Sequence, residues 1–127
     1  MKVLGINWLG VKTPTFATSR DFFTEVIGLQ VTYQAAEFAV MELPDGDKLE
    51  IFGPQGPDSE TQSRQGSIVA GFWVDDIGSA VAELVNQGVE LIGGIEGKAG
   101  RHQWQRFRAP DGNEFELCSD PQRRFPG

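Results

Sequence analysis

The feature that most constrains this chain is an internal repeat. The segment Leu43–Phe52, LPDGDKLEIF, returns as Ala109–Cys118, APDGNEFELC. Pro44, Asp45, Gly46 and Glu50 recur as Pro110, Asp111, Gly112 and Glu116, each 66 positions later. The opening strands repeat at an offset of 63, Val11 against Val74, so about three residues separate the two registers. A repeat this long in a chain of 127 residues means that the fold is built twice from one supersecondary unit.

The unit can be read from residue periodicity. Val3–Val11 is apolar and β-branched and ends at Thr13-Pro14, which predicts a strand. Phe22, Phe23, Val26 and Ile27 fall on one helical face, behind a Thr18/Asp21 capping pair and before Gly28, which predicts a helix over Arg20–Ile27. Leu29–Tyr33, Phe38–Leu43 and Lys48–Phe52 read as strands, the last two joined by a turn at Pro44–Asp47. The pattern restarts with a strand at Ser67–Val74. A helix follows, capped by Asp75-Asp76, with Ile77, Ala80, Val81, Leu84 and Val85 on its apolar face and Gly88 at its end. Val89–Ile95, His102–Arg108 and Asn113–Cys118 complete the set as strands. The expected fold class is α+β: two tandem βαβββ modules forming a curved mixed sheet around a cavity, with helices on the convex side. The expected boundaries are module 1 at about 3–53, a polar linker at 54–66, module 2 at about 67–119 and a tail at 120–127, all within a single domain of 1–127.

Charge and composition narrow the function. Eleven Lys and Arg against eighteen Asp and Glu leave a net charge of −7, which sets the chain against a polyanionic partner such as DNA or RNA. No apolar run approaches the roughly 20 residues of a membrane helix. Met1–Gly5 is too short and too quickly interrupted by Asn7 to read as a signal peptide, and the lone Cys118 cannot pair within the chain. A cytoplasmic, reduced setting is expected, with a small molecule rather than nucleic acid or membrane as partner.

Trp73-Val74-Asp75-Asp76-Ile77 before the second helix and Ala109-Pro110-Asp111-Gly112-Asn113-Glu114-Phe115-Glu116-Leu117 near the end resemble the vicinal oxygen chelate superfamily. That superfamily holds glyoxalase I, extradiol dioxygenases, and the fosfomycin- and bleomycin-resistance proteins. The resemblance covers Leu4–Ser119 and implies the fold just described, a cavity and a homodimer. It also implies metal-ligand positions on the first and fourth strands of each module. The fourth-strand positions match Glu50 and Glu116; the first-strand positions, usually His or Gln, match Ile6 and Val69. Two donors are thus replaced by hydrocarbon. A catalytic zinc takes three protein ligands and a non-haem iron triad two histidines, whereas this chain has only His102. No metal or other cofactor is expected.

Strand alternation places Lys48, Phe52, Glu114 and Cys118 beside Glu50 and Glu116, and Ile6, Trp8, Val69, Gly71 and Trp73 on the corresponding side of the opening strands. The facing of Trp104, Arg106 and Arg108 stays open. The expected ligand-binding set is Ile6, Trp8, Glu50, Phe52, Val69, Trp73, Trp104 and Glu116, a lining suited to a planar cationic or aromatic guest. The expected function is metal-independent sequestration in the manner of the bleomycin-resistance proteins. The alternative is a glyoxalase-like lyase or isomerase, with Glu50 or Glu116 as general base or, together with His102, as metal ligands. Glu50 and Glu116 also read as remnants of an ancestral site, as exposed carboxylates or as salt-bridged to an arginine, and Trp8 and Trp73 read equally as core aromatics. His102 reads more simply as a surface residue at the edge of a Gly93–Gly100 loop, which could serve as a lid.

Overall fold

The computed structural model describes residues 1–57 and 68–124. Most of the expected linker, 58–66, and the end of the expected tail, 125–127, lie outside the described residues. The chain forms two compact units, one of Met1–Trp8 with Ala70–Gly127 and one of Leu9–Val69. The first strand, β1 (Val3–Lys12), contributes its beginning to one unit and its end to the other.

The Leu9–Val69 unit holds α1 (Phe16–Asp21), β2 (Gln30–Ala35), β3 (Phe38–Glu42) and β4 (Lys48–Phe52). Its strands pair antiparallel, β2 with β3 and β3 with β4. Alternation sends Ala39, Met41, Leu49 and Ile51 to one face, where they pack with Phe16 into a core that Leu9, Val11, Phe23, Leu29 and Leu43 extend. The helix differs from the expectation in both position and character. It begins at Phe16, four residues ahead of Arg20, and from Phe22 to Val26 it widens into a π-helical turn. Phe16 is the buried anchor, while Phe22, Val26 and Ile27 of the expected apolar face are exposed. The Thr24 hydroxyl donates to the carbonyls of Arg20 (3.0 Å) and Asp21 (3.3 Å), drawing those acceptors away from a regular ladder. Gly28, at φ 88°, then turns the chain into β2, as its place at the helix end predicted.

The other unit holds β5 (Ile68–Val74, from Ala70 onward), α2 (Ile77–Asn86), β6 (Glu90–Gly97), β7 (Gln103–Arg108) and β8 (Glu114–Ser119). Strand β5 runs parallel to β8, while β8–β7 and β7–β6 are antiparallel, so this sheet is mixed. One face carries Val74 and Leu117, which pack against Ile77 and Ala80 of α2, with Phe72, Val81, Leu84 and Phe107 around them. The rings of Phe72, Phe115 and Phe107 stack in sequence at 5.9 and 6.1 Å. Val85, expected on the buried stripe, is exposed. Asp76 caps α2 as expected, its carboxylate accepting from the backbone N–H groups of Gly78 (3.1 Å) and Ser79 (3.4 Å). The expected Gly93–Gly100 loop is largely strand: β6 continues to Gly97, and a register shift between Ile92 and Glu96 absorbs Gly93 and Gly94. Of that stretch only residues 98–100 lie outside the strand.

The repeated motif makes the same turn in both units. Gly46 N–H donates to Leu43 O (2.9 Å) and Leu43 N–H to Asp47 O (2.8 Å); Gly112 to Ala109 O (2.9 Å) and Ala109 to Asn113 O (2.8 Å) repeat the pattern. Gly46 and Gly112 sit at φ 96° and 93°, a backbone region that a side chain would strain, which explains why both copies carry glycine. The fold is α+β, built from two βαβββ patterns.

Candidate functional site

The sheet face turned away from α2 collects most of the chemistry of its unit. Register places Trp73, Cys118 and Trp104 side by side in one row and Gly71, Glu116 and Arg106 in the next. Glu114 lies opposite Arg108 in a third. The pairing settles the facing that alternation alone left open: Trp104, Arg106 and Arg108 share the Glu116 face.

The carboxylates on this face are withdrawn from water, Glu116 at 6% exposure and Glu114 at 7%. Buried carboxylates require cations or donors. Arg106 supplies the charge: its Nε lies 3.3 Å from Glu96 Oε2 and its terminal nitrogen 3.8 Å from Glu114 Oε2. Arg108 pairs instead with the exposed Glu90, at 3.2 Å, and donates to the carbonyl of Gly112. The arginine-paired reading of the carboxylates thus holds for Glu114, a residue that sequence reasoning had kept in the background.

The tryptophans divide. Trp8 and Trp73 are buried, at 6% and 4% exposure. Trp104 is half-buried, its ring 5.5 Å from that of His102. Cys118 is fully buried, and Gly71 makes room for it: a Cβ there would come within 2.6 Å of the thiol sulfur and 3.5 Å of Trp8. Ile6 is exposed, and its carbonyl accepts from Arg123 at 3.4 Å.

The Leu9–Val69 unit carries the remaining predicted residues. Glu50, half-buried, lies opposite Val40, and Val40 opposite Tyr33. In the neighbouring row Phe52 meets Phe38, their rings 5.0 Å apart, and Phe38 meets Tyr33 edge-on at 6.0 Å. Sequence reasoning named Phe52 alone. Phe38 sits on β3 in alternation with Val40, so the period-2 rule that placed Phe52 beside Glu50 also marks Phe38 once the pairing is known. Val69 is buried at 4% exposure.

The tail also contributes. Asn7 is fully buried and its amide donates to Asp120 at 3.3 Å, while its carbonyl oxygen has no hydrogen-bond partner among the described residues. The Arg123 backbone N–H closes a turn on Asp120 O (3.0 Å), and the Arg123 guanidinium lies over the Trp73 ring, 4.3 Å from its centre. A cleft of about 380 Å³ opens beside this pair, lined by Leu4, Trp73, Asp75, Gln103, Asp120 and Arg123 among others. The Asn7–Asp120 and Ile6–Arg123 contacts span 113 and 117 residues of sequence, beyond the reach of any local pattern.

A metal ion of the kind the superfamily uses does not fit these residues. Its first-strand positions are an exposed isoleucine and a buried valine, which offer no lone pair. Among the described residues no three His, Cys, Asp or Glu side chains gather in a metal-holding group. Among the described residues no helix is long and apolar enough to cross a membrane.

Comparison with known proteins agrees with the fold. A methylmalonyl-CoA epimerase from Mycobacterium tuberculosis is similar at 14% identity and TM-score 0.70, over 93% of this chain and 89% of that one. A variant of the Streptomyces coelicolor methylmalonyl-CoA epimerase, in complex with 2-nitronate-propionyl-CoA, is similar at 14% identity and TM-score 0.73, over 98% of this chain and 100% of that one. A glyoxalase/bleomycin resistance protein/dioxygenase superfamily member from Vibrio splendidus 12B01 is similar at 19% identity and TM-score 0.65, over 91% and 98%. No curated protein sequence matches the chain. The sequence model of one family does match, over residues 5–117, and the chain accordingly belongs to the Glyoxalase/Bleomycin resistance protein/Dioxygenase superfamily.

Proposed function

We propose that the protein binds a small planar molecule, cationic or aromatic, and sequesters it without a metal ion. The observation that carries this reading is the Glu116 row. A carboxylate at 6% exposure stands in register with Arg106, one row from Trp104 and Trp73. A ring stacked on an aromatic side chain gains about 0.5–1.5 kcal/mol beyond area burial, and a desolvated cation over such a ring about 2 kcal/mol. Glu50, beside the Phe52–Phe38–Tyr33 cluster, gives the other unit a surface of the same character. Burial of Trp8, Trp73, Phe52 and Val69 shifts the weight within the predicted set toward half-buried Trp104 in one unit and half-buried Glu50 in the other.

The test is a titration of the protein with planar aromatic cations, bleomycin-type glycopeptides included, followed by tryptophan fluorescence. Saturable binding that weakens about tenfold in Glu116→Gln is expected, the size of one lost charge contact. No response across the panel overturns the reading.

A second reading, a lyase or isomerase with Glu116 as general base, is favoured by the same burial, since a carboxylate withdrawn from water is suited to accepting a proton from carbon. Turnover of a glyoxalase- or epimerase-type substrate that vanishes in Glu116→Gln while binding persists would establish it instead.

A further inference from the structure

We infer that the cleft at the end of β5 and β8 is a binding site for a guanidinium-bearing small molecule, and that the chain's own Arg123 occupies its aromatic wall. The site is separate from the Glu116 row and shares with the proposed function only the ring of Trp73.

The chemistry rests on what surrounds Trp73. A guanidinium is planar, weakly hydrated and always charged, and it is best matched by an indole face together with carbonyl and carboxylate oxygens. The cleft supplies the indole face and the carboxylates, and a carbonyl stands beside it where Arg123 reaches. The Trp73 ring lies 4.3 Å from the Arg123 guanidinium carbon, and the Ile6 carbonyl accepts from the same group at 3.4 Å. Asp75 and Asp120 line the cleft, with Gln103 as a neutral donor and acceptor. Asp120 is held by the fully buried Asn7 amide, so one acidic wall is fixed by the fold.

Arg123 does not fill this space. About 380 Å³ stays open beside it, room for a small molecule. The tail arginine reaches the ring from a single backbone turn, Arg123 N–H to Asp120 O at 3.0 Å, and its side chain is half-exposed. A guest guanidinium therefore competes with Arg123 for Trp73, and the affinity observed in the intact chain is lowered by the fraction of time Arg123 occupies the ring.

The experiment uses methylguanidinium at low millimolar concentration, well below denaturing levels, with far-UV circular dichroism as a check on folding. The readout is the indole N–H resonance of Trp73. Arg123→Ala is expected to bind the probe saturably and roughly tenfold more tightly than the intact chain. Asp120→Asn in the Arg123→Ala background is expected to weaken it again, and methylammonium to bind less tightly than methylguanidinium. The inference is overturned if Arg123→Ala gives no saturable shift at Trp73, or if its affinity equals that of the intact chain. It is equally overturned if methylammonium binds as well as methylguanidinium. Because the probe is not aromatic and the readout is Trp73, the result is independent of whether Glu116→Gln alters binding of the planar cations.

Discussion

The two copies of the repeat agree where the backbone needs them to and diverge where side chains are free. Both make the same four-residue turn with the same two hydrogen bonds and the same left-handed glycine. Both place a glutamate at the same strand position, Glu50 and Glu116. Their helices differ: α2 runs ten residues from a carboxylate cap, whereas α1 runs six, has no side-chain cap and loosens into a π-helical turn. The sheet faces differ as well, with Glu50 beside a cluster of phenylalanines and a tyrosine and Glu116 in a lattice of acids and arginines. Duplication has kept the turn and the strand register, which set where a side chain can be placed. The residues on the faces have changed, and the proposed binding rests on those.

The largest expected effect tests how tightly the Glu116 face is packed. Gly71→Ala puts a Cβ 2.6 Å from the Cys118 sulfur and should cost about 1–3 kcal/mol in urea denaturation. The double variant with Cys118→Ala should recover most of that, a coupling that would be missing if the clash were elsewhere. A smaller contrast separates the two ion pairs. Glu114→Gln removes a buried carboxylate partner of half-buried Arg106 and should cost about 1–2 kcal/mol, whereas Glu90→Gln removes a largely exposed partner of Arg108 and should cost less than about 0.5 kcal/mol. Equal effects would show that the Arg106 lattice is no more structural than the rim.

The smallest effect concerns the helix ends. Hydrogen bonds from the Ser79 side chain and the Ser79 backbone hold the Asp76 carboxyl below its ordinary value. A carboxyl depressed in the folded state stabilises at pH above its unfolded value, and that contribution fades as pH falls through the folded one. Asp76→Ala should therefore lower Tm slightly at neutral pH and have progressively less effect in acid. Thr15→Ala, at the start of α1, should change little at any pH because its side chain caps nothing. A pH-independent effect of Asp76→Ala would contradict the assignment of the cap.

The sequence carried the strands, the repeat and α2 because those depend on local alternation, turn chemistry and a cap, each legible within a few residues. The start of α1 was not legible. The quartet Phe22, Phe23, Val26, Ile27 spells a helical stripe, yet only Phe23 packs on the core and Phe16 does the anchoring. Glycine density misled at Gly93 and Gly94, where a bulge within β6 satisfies the same residues that a loop would. The facing of Trp104 and Arg106 needed the β7–β8 register, and the Arg123–Trp73 contact joins residues that no local rule connects. Glu50 and Glu116 could be named from the repeat. Their surroundings could not, because Phe38 and Arg106 arrive from neighbouring strands.

The central claim is that binding here relies on carboxylates and aromatic rings rather than on a coordinated ion. Its most direct test is elemental analysis of the purified protein, paired with aromatic-cation titrations before and after chelation. The account predicts no stoichiometric divalent metal and an affinity that chelation leaves unchanged. One tightly held divalent ion per chain, lost in Glu50→Ala or in Glu116→Ala, would contradict it.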